Sequence, residues 1–239
     1  MPLILVGGQA LNFWASRYAA RIPRREAPLS SADVDFVGGP DEARACAERL
    51  GGTVQFAGID HATANFAVVR FTDPAGHARL VDFLEDLCGV RRAEIERTAL
   101  PMQFLDPDRK PVGTSLLVMH PVVCLESRLS NCVELPKYRS KHGLDQAAAS
   151  IQCARAFLED LLDAGQQTAV LKLNERIFRF RGGRTGRKAA ALGLECFSAV
   201  LLDERLPEAF RNIRYPQMAA WVGRDRGREH VGPDPDLER

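Results

Sequence analysis

The chain has 239 residues, of which 46% are hydrophobic and 26% charged, with a formal net charge of +1. That is enough apolar material for an ordinary core in one large domain or two small ones, and the near-zero charge excludes a global electrostatic pull on nucleic acid, leaving only local basic patches. No run approaches the roughly 20 apolar residues of a membrane span. The short apolar run after Pro2 has no basic segment ahead of it, which argues against a signal peptide.

In chain order, Leu3 to Val6 is a short apolar run that ends at Gly7-Gly8, as a buried strand would, and Gln9 to Ala20 carries apolar residues at helical spacing. Residues 21–31 hold Pro, Arg and Ser and read as a loop leading to a second strand, Asp33 to Val37. Asp41 to Leu50 is predicted helical, with Pro40 ahead, acids early, arginine late and Gly51 behind. Thr53–Ala57, Asn65–Phe71 and Ala78–Leu84 are β-rich, the last two joined by the turn-forming Thr72–His77. Two further extended runs between 98 and 118 suggest a hairpin at a sheet edge. From His120 the periodicity turns helical, with helices expected over Pro121–Glu134, Leu144–Ala164, Gln167–Phe180, Arg187–Leu202 and Pro207–Val222.

Strands early and helices late predict an α+β protein, with a mixed β-sheet flanked by helices followed by a C-terminal helical bundle. The expected organisation is a catalytic domain over 1–118, a helical domain over 119–224 and a flexible, charged, Pro- and Gly-bearing tail over 225–239.

Three acids stand out because each lies in an apolar, strand-like run. Asp33 and Asp35 are two apart, so in a strand they project from one face, and Asp82 occupies a comparable place in a later strand. Carboxylates converging in a partly dry site repel one another unless a cation neutralises them. Mg²⁺ suits such a site, since it prefers oxygen ligands and keeps positions open for water and phosphate. Gly7-Gly8 at a strand-to-helix junction offers backbone N–H groups and a helix dipole to an anion such as a triphosphate. Each feature also has a plain structural reading, a tight turn for the glycines and a solvated strand edge for the acids. Their order along the chain (strand, Gly-Gly, helix, D-x-D strand, later strand acid) is what favours a site.

The segments LVGGQALNFWA, Ser31-Ala-Asp33-Val-Asp35-Phe and Leu80-Val-Asp82-Phe-Leu together resemble the DNA polymerase β-like nucleotidyltransferase superfamily, closest to the AbiEii-type and related minimal nucleotidyltransferases that include toxins of toxin–antitoxin pairs. The resemblance covers the first 85 or so residues. It implies that Asp33, Asp35 and Asp82 are the catalytic and metal-binding residues for two Mg²⁺ ions, that Gly7 and Gly8 hold the triphosphate of an NTP, and that Ser31 adds a phosphate contact. It further implies a downstream lysine and aspartate, for which Lys137, Lys141 and Asp145 are candidates, Lys137 being preferred as nucleotide-binding. The twenty-four residues between Gly8 and Asp33 exceed the family's usual spacing, and Arg21, Arg24 and Arg25 there either bind nucleotide or are solvated.

Arg128, inside an apolar helix, reads as a buried ion-pair partner in preference to a phosphate contact. The six cysteines and five histidines lack metal-ligand spacing, and the cysteines read as reduced in a cytoplasmic protein. Arg176, Arg179, Arg181, Arg184, Arg187 and Lys188 concentrate positive charge around Phe178 and Phe180, a candidate RNA contact set against a solvated helix face. The resulting expectation is a Mg²⁺-dependent nucleotidyltransferase that passes NMP from an NTP to a hydroxyl of tRNA or other RNA, of a protein or of a small molecule, with an antitoxin protein as a further expected partner. The alternative is an inactive nucleotide-binding or protein-interaction module on the same fold.

Overall fold

A computed structural model describes residues 3–22, 33–58, 64–105 and 110–229. The protein is α+β, with a seven-stranded mixed sheet in its N-terminal part and helices alone after it. By internal contacts it divides into Met1–Cys153 and Ala154–Arg239. The sequence pattern had put a boundary at 118/119, where the strands stop.

In the first unit the strands are β1 (Ile4–Leu5), β2 (Val34–Val37), β3 (Thr53–Phe56), β4 (Asn65–Thr72), β5 (Ala78–Leu84), β6 (Leu100–Leu105) and β7 (Pro111–Val118), in the spatial order β3-β4-β5-β2-β1-β7-β6. β2 is parallel to β5 and antiparallel to β1, so Asp35 stands directly beside Asp82 while Leu5 stands beside Phe36. The expected hairpins are β4–β5 and β6–β7, and β6 is an edge strand.

The helices of this unit are α1 (Gly7–Arg17), α2 (Pro40–Leu50), α3 (Arg92–Thr98), α4 (Pro121–Glu134) and most of α5 (Lys141–Asp163). α2 forms because Pro40 opens it, Glu42 reaches back to the Gly39 N–H at 2.8 Å, and Gly51 closes it in the left-handed conformation at φ +61°. Its Ala43 and Ala47 pack on Ala67, Val69, Val81 and Phe83 of β4 and β5, with Val34 and Phe36 against the same cluster. Burying Val81 and Phe83 contributes about 1.5–3 kcal/mol each. Because side chains alternate along a strand, turning Val34, Phe36, Val81 and Phe83 to this core sends Asp35 and Asp82 to the opposite face.

α4 is buried from Pro121 to Val133, far more than an amphipathic surface helix. Its start is joined to α1 by the Trp14 indole N–H, which donates to the Met119 carbonyl at 2.8 Å.

The second unit contains the end of α5, α6 (Gln167–Gly182), α7 (Arg184–Ala191) and α8 (Tyr215–Glu229), with a π-turn over Phe210–Arg214 ahead of α8. The helix expected over Arg187–Leu202 is broken, because α7 stops at Ala191 and Gly193 adopts φ +81°. The side-chain amide of Asn174, fully buried on α6, donates to the Leu201 carbonyl at 2.9 Å and accepts from the Leu201 N–H at 2.8 Å, which fastens the irregular segment after the break. α8 continues to Glu229, through residues expected to belong to the tail. Among the described residues no helix is long and apolar enough to cross a membrane.

Candidate active site

The antiparallel pairing of β1 with β2 continues one step past Leu5, where the Val6 N–H donates to the Asp35 carbonyl at 2.9 Å. The next residue, Gly7, therefore turns directly over Asp35. It does so at φ +67°, and a Cβ there would overlap the Asp35 carboxylate, so both the backbone conformation and the space require glycine. The sequence suggested that the two glycines precede the helix, whereas they form its first turn, with Val6 as an N-cap that supplies no side-chain bond. The Gly8 N–H accordingly lacks an intrahelical acceptor, and it donates to Asp35.

Asp35 is the most perturbed of the acids. Burial raises its pKa from 3.8 to about 6, the charges of Asp82 and Asp33 push in the same direction, and Arg128 and the Gly8 N–H oppose them. Burial also raises Asp82, again with Asp33 adding to the effect, while a hydrogen bond from the Asn65 side chain and the charge of Arg70 hold it down. Asn65 begins β4 at an irregularity, because the register with β5 shifts between Asn65 and Ala67. Bulges of this kind commonly re-aim a side chain beside a site. Asp33 lies in the bend just before β2.

The structure thus brings Asp35, Asp82, Asp33, Gly7 and Gly8 together on one face at the middle of the sheet. The donor set is all oxygen, and two of its carboxylates stand side by side in register, as strands about 4.8 Å apart place them. That suits Mg²⁺, which takes one or two carboxylates and completes its shell with water and phosphate oxygens. Among the described residues no group of three or more His, Cys, Asp or Glu side chains is close enough to form a ready-made metal cage.

Arg128 is the residue near the acids that sequence reasoning undervalued. It is only 7% exposed, lies on α4 and supplies the largest favourable charge felt by Asp35. The expected buried ion pair is not present: among the described residues its one side-chain hydrogen bond goes to Gln146, and its Nε–H has no partner. The signal in the sequence was an arginine in the middle of a helix rich in apolar residues.

The other candidates fall elsewhere. Lys137 is exposed in the short turn Pro136–Arg139, its ammonium 5.2 Å from the Tyr138 ring centroid, and among the described residues no contact joins it to the acids. Lys141 and Asp145 are exposed in the first turns of α5. Ser31, Arg24 and Arg25 lie outside the described residues, and Arg21 is exposed just before them.

The basic cluster of the second unit is not one surface. Arg181 is fully buried, and its guanidinium donates to Glu195 at 3.0 Å and to Asp225 at 2.7 Å, which removes it from the candidate RNA contacts. Phe178 makes T-shaped contacts with Trp221 and Phe197, and the Arg214 guanidinium lies over its ring at 5.3 Å from the centroid, where a base would stack. Arg179, Arg184 and Arg187 are exposed, and Arg176 and Lys188 are half-buried.

Comparison of the sequence with protein-family models and with curated proteins gives no match.

Proposed function

We propose that the protein is a Mg²⁺-dependent nucleotidyltransferase, which moves NMP from an NTP to an acceptor hydroxyl with release of pyrophosphate. The observation that carries this reading is the pairing of Asp35 with Asp82 on adjacent parallel strands, directly against the glycine turn that opens α1 and whose Gly8 N–H donates to Asp35. Two half-dry carboxylates facing each other are a costly arrangement for a purely structural role, and a divalent cation relieves that cost.

In this reading Asp33 and Asp35 hold Mg²⁺, with two ions in the complete site, and Asp82 is the third ligand on the acceptor side. Bound Mg²⁺ supplies charge neutralisation for the phosphates and favours ionisation of the attacking hydroxyl. The chain's own residues supply position. The Gly8 N–H holds the Asp35 carboxylate in place, the Gly7-Gly8 turn brings the positive end of the α1 dipole to the triphosphate, Arg128 adds a buried positive charge beside it, and Asn65 fixes the Asp82 carboxylate. The pKa of about 6 at Asp35 supports the reading, because a ligand-free carboxylate that resists ionisation gains most from a cation.

The acceptor class stays broad: a hydroxyl of RNA, of a protein or of a small molecule. The exposed Arg179, Arg184 and Arg187 supply the charge an RNA acceptor would use, and an antitoxin partner belongs to the same proposal.

The test is incubation of the purified chain with each α-³²P-labelled NTP, Mg²⁺ and total RNA or cell lysate. Label should pass to an acceptor as pyrophosphate appears, and Asp35→Ala should lower the rate by about a hundredfold or more. Transfer with no NTP, or equal transfer by Asp35→Ala, would overturn the proposal. Nucleotide binding without pyrophosphate release would identify an inactive binding module instead.

A further inference from the structure

Arg128 carries five N–H donors and can accept nothing, so whatever it meets must be an acceptor. Its Nη1–H donates to the Gln146 Oε1 at 3.2 Å, while its Nε–H, fully buried, has no partner. Buried arginine donors are ordinarily satisfied, and an orphan marks either a functional contact or a fault. Here the same guanidinium is also the strongest positive influence on Asp35, the most buried acid of the candidate site.

Gln146 is itself almost fully buried, at 6% exposure, one turn into α5. Because the arginine can only donate, the amide oxygen of Gln146 must face it. The amide nitrogen then faces the other way, where it lies 3.0 Å from the Nε2 of His142, one helical turn earlier on the same helix. His142 Nε2 is therefore the acceptor in this pair, and the amide is fixed at both ends. Gln146 is a neutral acceptor: it orients the guanidinium without neutralising it. A carboxylate at the same place would orient Arg128 equally well and cancel its charge.

We propose that Gln146 is the positioning residue of an anion subsite, holding one edge of Arg128 so that its remaining Nη donors are presented to the polyphosphate of the nucleotide. The proposal rests on the nucleotidyltransferase reading for the identity of its ligand.

The full-length chain is titrated with inorganic tripolyphosphate in the presence of Mg²⁺, with binding followed by calorimetry and stability by thermal unfolding. Gln146→Glu keeps the shape and the acceptor for Arg128, and His142 can donate to the new carboxylate by carrying its proton on Nε2, so it should leave Tm unchanged or higher while weakening tripolyphosphate about tenfold or more. Gln146→Leu should lower Tm as well as affinity. In the transfer assay, Gln146→Glu should raise KM for the NTP far more than it lowers kcat. Wild-type affinity in Gln146→Glu would overturn the proposal and leave Gln146 a packing residue, as would wild-type protein that fails to bind tripolyphosphate at millimolar concentration. Because this binding is read without turnover, a wild type that binds tripolyphosphate but transfers no nucleotide refutes the proposed function separately from the subsite.

Discussion

Charge is buried around Arg181 in the second unit and around Asp35 in the first, and the two places are built on opposite principles. In the second unit Arg181, with no exposed surface, meets Glu195 and Asp225, whose side chains are 19% and 15% exposed, so each buried charge has a counterion at 2.7–3.0 Å. On the sheet of the first unit, Asp35 and Asp82 meet each other, Asp33 adds a third negative charge, and the nearest buried guanidinium is tied to a neutral amide. Identical side-chain types therefore serve different ends. A cluster of opposite charges joins helices, and a cluster of like charges is what the proposed function supplies with a cation.

Removing the cation of the ion-paired cluster should produce the largest effect. Arg181→Met leaves two partly buried carboxylates without a counterion and should destabilise the helical unit by about 3–5 kcal/mol in urea unfolding followed by circular dichroism. A cost under about 1 kcal/mol would mean that the cluster is as well solvated as a surface pair.

The acid cluster should respond in the opposite sense. The folded chain raises the Asp35 pKa from 3.8 to about 6, so folding favours the protonated form. That contribution is fully present below pH 3.8 and is lost as pH rises through about 6. Asp35→Asn, which cannot ionise, should therefore stabilise the ligand-free protein at pH 8 by up to about 3 kcal/mol, less for whatever part of the carboxylate remains wet, while abolishing transfer. The gain in Tm over wild type should shrink as pH falls toward 4. An Asn variant less stable than wild type at pH 8 would show that Asp35 is a structural acid.

Two glycines sharpen the point at smaller cost. Gly7 and Gly51 both have left-handed backbones, at φ +67° and +61°, but only at Gly7 does an added Cβ meet anything, namely the Asp35 carboxylate. Gly51→Ala should cost about 1–2 kcal/mol from the backbone alone, and Gly7→Ala measurably more, with loss of nucleotide binding. Equal costs would mean that the turn can move away from Asp35. Smallest of all, Arg184→Ala and Arg187→Ala should leave stability within about 0.5 kcal/mol, since both side chains are exposed. If these residues touch RNA, filter binding should weaken and its salt dependence should become shallower.

Much of the sheet was legible in the sequence because its strands alternate or run apolar between turn residues, as in Asn65–Leu84. The helix over Arg92–Thr98 was not legible, being seven residues long with Ile95 its one buried side chain. The break at Ala191 was written in Gly193, yet a continuous apolar periodicity outweighed it in the reading. The acids of the site were legible because a carboxylate in a β-rich run is locally anomalous. The roles of Arg128 and Arg181 were not, because a buried arginine is defined by its partners. Gln146, Glu195 and Asp225 are separated from those arginines by 14 to 44 positions, which only the fold brings together.

The contrast between the two clusters rests on the claim that the sheet acids await a divalent cation. Thermal unfolding of wild type and Asp35→Asn, each with and without Mg²⁺ at constant ionic strength and pH 8, tests it most directly, since a ligand that binds only the folded state raises Tm. Mg²⁺ should raise the Tm of the wild type and leave that of Asp35→Asn unchanged. No shift in the wild type, or the same shift in both, would contradict the account.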